Sequence, residues 1–189
     1  MYESGDLRKG LKIEIDGDPY VVVHFDFVKP GKGQALYKCK LKNMVTGAQF
    51  DRTYRSGEKF NEANLEEVEM EYLYFDGRNY CFMNKSDYSQ EMLTPEQVGE
   101  AKGFLKENTI CNVLLFDGRP IGISLPYFVV LKIIKADPWV KGDTASGDSK
   151  PATLETGIVV QVPPFVEQGE IIKIDTRTGQ YVERVKESR

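Results

Sequence analysis

Residues 20–41 read YVVVHFDFVKPGKGQALYKCKL, and this stretch decides how the first part of the chain folds. Val and Phe dominate residues 20–28, and residues 35–41 alternate in character, which is typical of two β-strands. Pro30, Gly31 and Gly33 lie between the two runs and favour a tight turn. The stretch therefore predicts a β-hairpin with Lys32 at its exposed tip.

Two interpretations of Lys32 are open from this pattern. It is an ordinary solvated lysine in a turn, or it is an amine presented to a partner, since flanking glycines allow a close approach of the backbone. A lysine that acts as a covalent nucleophile needs an apolar pocket, and a glycine-flanked tip does not provide one. An exposed ammonium is better suited to pairing with phosphate or to covalent extension by another enzyme.

The strand after the turn has one basic face. Side chains of a strand alternate between its two faces, so Lys38, Lys40 and Lys42 lie opposite Tyr37, Cys39 and Leu41. Residues 29–59 hold eight basic residues and two acidic ones, whereas residues 64–126 are strongly acidic. A nucleic acid would therefore meet the first third of the chain most favourably, although a basic face is also compatible with simple solvation.

Composition places the chain among ordinary globular proteins. It has 189 residues, of which 41% are hydrophobic and 29% charged, and its formal net charge is -4. No segment approaches the roughly 18 apolar residues that a membrane span needs, so we expect a cytoplasmic protein without a membrane partner. The three cysteines lie far apart in apolar runs, which predicts buried, reduced thiols.

Short strands and turns alternate along the whole chain and predict an all-β sandwich or barrel architecture. An apolar run precedes each Asp-Gly pair, and such pairs favour two-residue hairpin turns. Only one helix is predicted, from a capping box at Thr94–Gln97 to about Glu107. The turns are predicted at Asp16-Gly17, Thr46-Gly47, Asp76-Gly77, Asp117-Gly118 and Thr178-Gly179.

Polar or proline breaks near residues 63 and 126 divide the chain into three units: residues 1–63, 64–126 and 127–189. Each unit is near the lower size limit for independent folding, so we expect the units to pack on one another. Residues 142–149 are too polar for a core and predict a long exposed loop in the third unit.

The residues that catalysis or metal binding would need are missing. His24 is the only histidine, and we expect it to be a surface or hydrogen-bonded histidine with no catalytic role. No close pairs of cysteine and histidine exist, so no metal site is predicted. Residues 142–149 lack the lysine and the strand-to-helix context of a phosphate-binding loop. We therefore predict no catalytic residue and no cofactor.

Four segments carry a resemblance to a known family. They are Phe27–Gln34 at the hairpin tip, Lys150–Gly157, Val162-Pro163 with the later Gly169, and Asp175–Val182 near the end. In these segments, and over essentially its whole length, the chain resembles the bacterial elongation factor P family. The resemblance implies an SH3-like (KOW-like) barrel followed by two OB-fold barrels, arranged in an L that imitates the outline of a transfer RNA.

The resemblance also implies a function. A protein of this family is a translation elongation factor and not an enzyme. It binds a stalled ribosome between the peptidyl and exit transfer-RNA sites and stimulates peptide-bond formation at consecutive prolines. We expect it to act as a monomer whose partners are the 70S ribosome, ribosomal RNA, the peptidyl-tRNA and an enzyme that modifies lysine.

The resemblance implies particular roles for residues of this sequence. Lys32 would contact the peptidyl-tRNA and would be the site of a covalent extension, of which several kinds remain open. The loop around it comprises Lys29, Pro30, Gly31, Gly33 and Gln34. The expected RNA-binding residues are Lys38, Lys40, Lys42, Arg52 and Arg55. The loop expected at the small subunit contains Gly142, Asp143 and Thr144.

Two other functions are alternatives to the one that the resemblance implies. A general RNA-binding protein with OB and SH3-like barrels would bind arbitrary RNA in a salt-sensitive way, without preference for ribosomes. An enzyme that uses Lys32 covalently would form an adduct with a carbonyl compound, which borohydride would trap.

Overall fold

The computed structural model describes residues 1–138 and 149–186, and β-strands make up most of that part of the chain. The strands form three sheets of six, five and five strands, each built from its own stretch of sequence. Two of the sheets curl into half-barrels. The predicted all-β class, with an SH3-like domain and OB-type domains, is confirmed.

By its packing the chain divides into two compact units. The first contains residues 1–67 together with residues 114–121, and the second contains residues 68–113 and the described residues from Gly122 onward. The first unit thus includes the first sheet and the tip of a hairpin from the second sheet. The domain boundaries at residues 63 and 126 stay predictions.

The first sheet surrounds a core in which Ile13, Val22 and Leu41 are fully buried. Its Asp16-Gly17 turn has positive φ at both residues, 52° and 84°, as a two-residue hairpin turn of type I′ requires. The elements are β1 (Tyr2–Glu3), a 3₁₀ helix (Ser4–Asp6), β2 (Lys12–Ile15), β3 (Asp18–Val28), β4 (Leu36–Asn43), β5 (Gln49–Arg55) and β6 (Lys59–Glu62). The strand order in the sheet is β1-β6-β2-β3-β4-β5.

The second sheet buries Met70, Phe82 and Leu93 on one side. The elements are β7 (Leu65–Phe75), β8 (Tyr80–Asn84), β9 (Gln90–Leu93), α1 (Pro95–Val98), a 3₁₀ helix (Gly99–Phe104), β10 (Ile110–Phe116) and β11 (Arg119–Ser124). The strand order in the sheet is β11-β10-β7-β8-β9.

The two Asp-Gly pairs of the second sheet behave differently. Asp117 and Gly118 both have positive φ and join β10 to β11 in a two-residue turn, as predicted. The two-residue turn predicted at Asp76-Gly77 is wrong, because four residues separate β7 from β8. The Asp76 carboxylate accepts hydrogen bonds from the backbone N–H groups of Arg78 (2.8 Å) and Asn79 (2.7 Å), which stabilises the longer loop.

The predicted helix begins where expected and ends early. The capping box is present, with Thr94 Oγ1 accepting from Gln97 N at 3.2 Å and Thr94 N donating to Gln97 Oε1 at 2.9 Å. The α-helix ends at Val98, so the prediction that it continues to about Glu107 is wrong. Gly99 adopts φ 61° and ψ −142°, which interrupts the helical backbone, and a 3₁₀ helix follows. No helix of residues 1–138 and 149–186 has the length and apolar character to cross a membrane.

The 3₁₀ helix Gly99–Phe104 packs against the third sheet. A β carbon at Gly103 would overlap with Ile158, so only glycine allows this close approach. Thr156 Oγ1 donates to the carbonyl of Gly103 at 2.5 Å, and Lys106 forms an ion pair with Glu155 at 3.1 Å. The segment that precedes β10 is therefore in direct contact with residues 155–158, within the second unit.

The third sheet has its own core, with Leu131, Ile133 and Ile172 fully buried. Thr178-Gly179 forms the predicted turn, with φ 72° at the glycine. The elements are β12 (Phe128–Ala136), β13 (Lys150–Leu154), β14 (Val159–Val162), β15 (Ile171–Asp175) and β16 (Gln180–Val185). The strand order in the sheet is β14-β13-β12-β15-β16.

All three cysteines are buried and none forms a disulfide, as predicted. Burial raises the pKa of the Cys39 thiol, and it raises the pKa of the Cys111 thiol to about 12. Cys39 belongs to the first sheet, whereas Cys81 and Cys111 belong to the second. The thiols therefore act as small apolar side chains of two cores.

Candidate functional site

The longest hairpin of the first sheet carries the candidate site. Strands β3 and β4 pair antiparallel from Tyr20 opposite Asn43 to Val28 opposite Leu36. A bulge between Val22 and His24 resets the register, which increases the local twist of the hairpin. The seven residues 29–35 connect the two strands, as the alternation of the sequence predicted.

The connecting loop is unsupported by hydrogen bonds. Residues 29–34 are all exposed, and no hydrogen bond joins residues 29–35 to another residue of the described chain. Gly33 has φ 138°, a backbone conformation that L side chains rarely adopt. Within residues 1–138 and 149–186, no carboxylate lies within ion-pair distance of the Lys32 amine. The structure therefore has Lys32 at the tip with its ammonium in solvent.

The predicted basic face of β4 is present. Lys38, Lys40 and Lys42 are exposed, while Cys39 and Leu41 between them are buried. Carboxylates interrupt the positive charge, because Asp26 of β3 lies opposite Lys38 and Asp51 of β5 lies opposite Lys40. Residues directly opposite in a sheet share a face, so these two carboxylates weaken the positive field of the lysines, and Asp26 lies outside the stretch counted in the sequence.

The structure separates the two arginines expected to bind RNA. Arg55 lies opposite Leu36 and shares the face of the lysines, whereas Arg52 lies opposite Cys39 on the other face. The Arg52 guanidinium sits 5.5 Å from the ring centre of Tyr54. Burial raises the pKa of the Tyr54 phenol to about 12, and the nearby charge of Arg52 opposes that shift. Arg52 is therefore not part of the lysine face.

His24 lies on the outer face of β3, as expected for a surface histidine. Its Nε2 is 3.0 Å from Asp26 Oδ2, and both side chains are largely exposed. In the described residues, no group of three or more His, Cys, Asp or Glu side chains is arranged to hold a metal ion.

Sequence reasoning missed an aromatic cluster on the other face of the hairpin. The ring centroids of Phe25 and Tyr37 are 6.2 Å apart, and those of Phe27 and Tyr37 are 5.2 Å apart. Phe27 lies directly opposite Tyr37 and remains 52% exposed. The alternation of residues 25–28 placed Phe25 and Phe27 on one face, but their contact with Tyr37 depends on the pairing register. This cluster lies in the stem just below the loop, where cross-strand aromatic contacts stabilise the pairing of the two strands.

The remaining predicted site residues form two groups. Gly142, Asp143 and Thr144, expected at the small subunit, lie outside residues 1–138 and 149–186. Lys29, Pro30, Gly31 and Gln34 belong to the exposed loop around Lys32.

Three family models match consecutive parts of the chain. They are described as the elongation factor P KOW-like domain, over residues 3–60, the elongation factor P OB domain, over residues 65–123, and the elongation factor P C-terminal region, over residues 129–184. The matched stretches coincide with the three sheets. Together they define a translation factor rather than an enzyme.

Full-length relatives show which family this is. Elongation factor P of Desulfosudis oleivorans is 70% identical over 98% of this chain and 100% of its own length. Elongation factor P of Desulforapulum autotrophicum is 65% identical over 99% of this chain and 100% of its own length. The chain belongs to the elongation factor P family.

A solved structure agrees on the fold. Eukaryotic translation initiation factor 5A from Methanococcus jannaschii superimposes with a TM-score of 0.54 at 20% sequence identity. The match covers 66% of this chain and 93% of that one. At this identity the similarity supports the architecture of the matched part alone.

Proposed function

We propose that this chain binds stalled ribosomes and stimulates peptide-bond formation at consecutive prolines by positioning the peptidyl-tRNA through the Lys32 loop. It acts in the cytoplasm as a monomer, with the 70S ribosome, ribosomal RNA and the peptidyl-tRNA as its partners. The observation that carries the proposal is the exposed Lys32 amine at the tip of a hairpin, in a chain of the elongation factor P family.

The chemistry of the stalled reaction makes positioning sufficient. Proline fixes its own φ, which restricts the conformation of its amine as the acceptor of the peptidyl group. A loosely held peptidyl-tRNA, the donor, therefore rarely reaches a reactive geometry. Holding the donor in place lowers the entropic part of the barrier without any catalytic side chain. A lysine without a partner in residues 1–138 and 149–186 suits this task, because its charge is free to meet the phosphates at the end of a transfer RNA.

The lysine face of the hairpin supplies contacts that do not depend on RNA sequence. Lys38, Lys40, Lys42 and Arg55 share this face and would meet the phosphate backbone as the tip reaches its target. Arg52, on the opposite face, would contact a different segment of RNA. Asp26 and Asp51 keep the attraction moderate, which favours reversible binding.

The same exposure supports Lys32 as the substrate of a lysine-modifying enzyme. Both neighbours are glycines, and a β carbon at Gly31 would meet no atom within 4 Å. An active site therefore has room to enclose the amine. A covalent extension would lengthen the reach of the loop beyond that of lysine alone. The loop with Gly142, Asp143 and Thr144 would contact the small subunit.

The test is in vitro synthesis of a peptide with three consecutive prolines, with the wild-type chain and with Lys32→Ala. We expect Lys32→Ala to lose at least about tenfold of the stimulation, equal to about 1.4 kcal/mol in the barrier. Lys9→Ala is the matched control, because Lys9 is another exposed lysine that precedes a glycine in a turn of the same unit. It should stimulate like the wild type.

Three outcomes would contradict the proposal. The wild type gives no stimulation, or Lys32→Ala stimulates as well as the wild type, or Lys9→Ala loses as much as Lys32→Ala. Binding to arbitrary RNA with no preference for ribosomes would instead indicate a general RNA-binding protein.

A further inference from the structure

A second cation at a hairpin tip lies beside exposed aromatic rings in the third sheet. Tyr127 and Phe128, at the start of β12, are 65% and 44% exposed. The turn between β15 and β16 is next to them, because Thr176 N donates to the carbonyl of Tyr127 at 2.9 Å and Thr176 Oγ1 donates to the carbonyl of Pro126 at 2.6 Å. The backbone that carries these two exposed aromatic side chains is thus hydrogen-bonded to the turn.

Arg177 of this turn is locked in place. Its Nε donates to Asp175 Oδ1 at 3.0 Å and its Nη2 donates to Asp175 Oδ2 at 2.8 Å. The guanidinium carbon is 4.6 Å from the ring centre of Tyr127 and 5.7 Å from that of Phe128. Two hydrogen bonds and a stacking contact therefore fix its plane before any ligand arrives.

The fixed guanidinium retains unused donors. Asp175 engages two of its five N–H groups, and no other acceptor of residues 1–138 and 149–186 takes the remaining three. Lys173 adds a second cation 5.7 Å from the ring centre of Phe128. Its ion pair with Glu183, like that of Arg177 with Asp175, leaves the patch nearly neutral. Attraction to a ligand would come mainly from ring faces and oriented donors.

We propose that this patch binds an unpaired nucleotide of a single-stranded RNA. The base stacks on the exposed ring of Tyr127, and the free N–H groups of Arg177 donate to its phosphate or ribose oxygens. A duplex does not fit this site, because its bases are already stacked on one another. The near neutrality of the patch predicts binding that depends only weakly on salt. The site does not involve Lys32 and stands apart from the function proposed above.

The experiment measures fluorescence anisotropy of a labelled single-stranded oligoadenylate with the full chain and with Tyr127→Ala. We expect at least about fivefold weaker binding for Tyr127→Ala, since one stacked base contributes enough for such a change. Tyr127→Phe keeps the ring and should bind like the wild type. Tyr88→Ala is the matched control, because Tyr88 is 73% exposed and no arginine or lysine of the described chain stacks on it.

Thermal unfolding of each variant checks that the third domain is intact, and Arg177→Lys should weaken binding because lysine lacks the planar donor set. The anisotropy measurement uses no ribosome, and its expected outcomes depend on Tyr127 and Arg177, which keeps this test separate from the ribosome assay. The proposal is overturned if the wild type does not bind, if Tyr127→Ala or Arg177→Lys binds like the wild type, or if Tyr88→Ala loses as much. Equal affinity for a duplex of the same length would also overturn it.

Discussion

The hairpin tips at residues 29–35 and 176–179 each carry a cation, and they hold it in opposite ways. Lys32 sits in a loop without hydrogen bonds to the described chain, and its ammonium has no ion-pair partner there. Arg177 sits in a short turn where the backbone and side chain of Asp175 together accept five hydrogen bonds. One tip offers a charge that can move, and the other offers a charge in a fixed plane.

The difference follows from the residues next to each cation. Glycines on both sides of Lys32 remove the side chains that could anchor the loop, and they widen the range of backbone conformations open to it. Asp175 and the threonines around Arg177 bond to nearby backbone groups, which is how such residues stabilise turns. In the first hairpin the hydrogen bonds end with the two strands, whereas in the third sheet they continue into the turn at residues 176–179.

Removing the Asp175 carboxylate, which binds Arg177, should have the largest effect on stability. We expect Asp175→Ala to lower the midpoint of thermal unfolding of the third domain by about 5 °C, because the turn loses its side-chain acceptors and Arg177 loses its partner. Differential scanning calorimetry measures the midpoint. Gln34→Ala in the Lys32 loop is the control and should change the midpoint by less than about 1 °C. Equal midpoints for the two variants would contradict the view that side-chain hydrogen bonds stabilise the turn at residues 176–179 more than the Lys32 loop.

Low pH should weaken the interaction between Asp175 and Arg177 and so lower the stability of the third sheet. The hydrogen bonds from Arg177 lower the pKa of Asp175 below its ordinary value of 3.8. A carboxyl group whose pKa is lower in the folded state stabilises the fold above its ordinary pKa, and that stabilisation is lost as the pH falls through the folded value. The wild type should therefore lose stability more steeply than Asp175→Asn below about pH 4.

Unfolding midpoints of both proteins, measured from pH 6 down to pH 2, check this expectation. Asp76 and Asp87 also have lowered pKa values, because of their own hydrogen bonds, but they are present in both proteins and cancel in the comparison. If the unfolding midpoints of the two proteins change with pH in parallel, the charge of Asp175 contributes nothing to stability.

The smallest effect concerns the stem of the first hairpin. Phe27→Ala removes the ring that faces Tyr37, and we expect it to destabilise the first domain by about 0.5–1 kcal/mol. Urea denaturation measures the change. Val45→Ala is a control, because Val45 is an exposed apolar residue in another loop of the same unit. A change no larger than that of Val45→Ala would show that the aromatic cluster does not support the tip.

The hairpin and its turn residues could be predicted from the sequence because their signals are local. Alternation located β3 and β4, and the glycines and Pro30 located the loop between them. The extent of the helix after Thr94 could not be predicted in this way, since Gly99 adopts a backbone conformation that its residue type permits and does not require.

Features that depend on strand pairing were also beyond the sequence. Arg52 and Arg55 are three residues apart in one strand, so alternation places them on opposite faces, but only the register of β5 against β4 shows that Arg55 shares the face of the lysines. Asp26 was not recognised as a neighbour of Lys38 for the same reason. The cross-strand contact between Phe27 and Tyr37 likewise follows from register, which the spacing within one strand does not determine.

The burial of all three native thiols has a practical consequence for labelling. Thiol reagents attack an accessible thiolate; burial keeps all three native thiols away from the reagent, and it also raises the pKa of Cys39 and Cys111. A single cysteine introduced at either tip would therefore take up a dye or spin label while Cys39, Cys81 and Cys111 stay unreacted. Reaction of the native thiols, in turn, would report the opening of the first or second core as it happens.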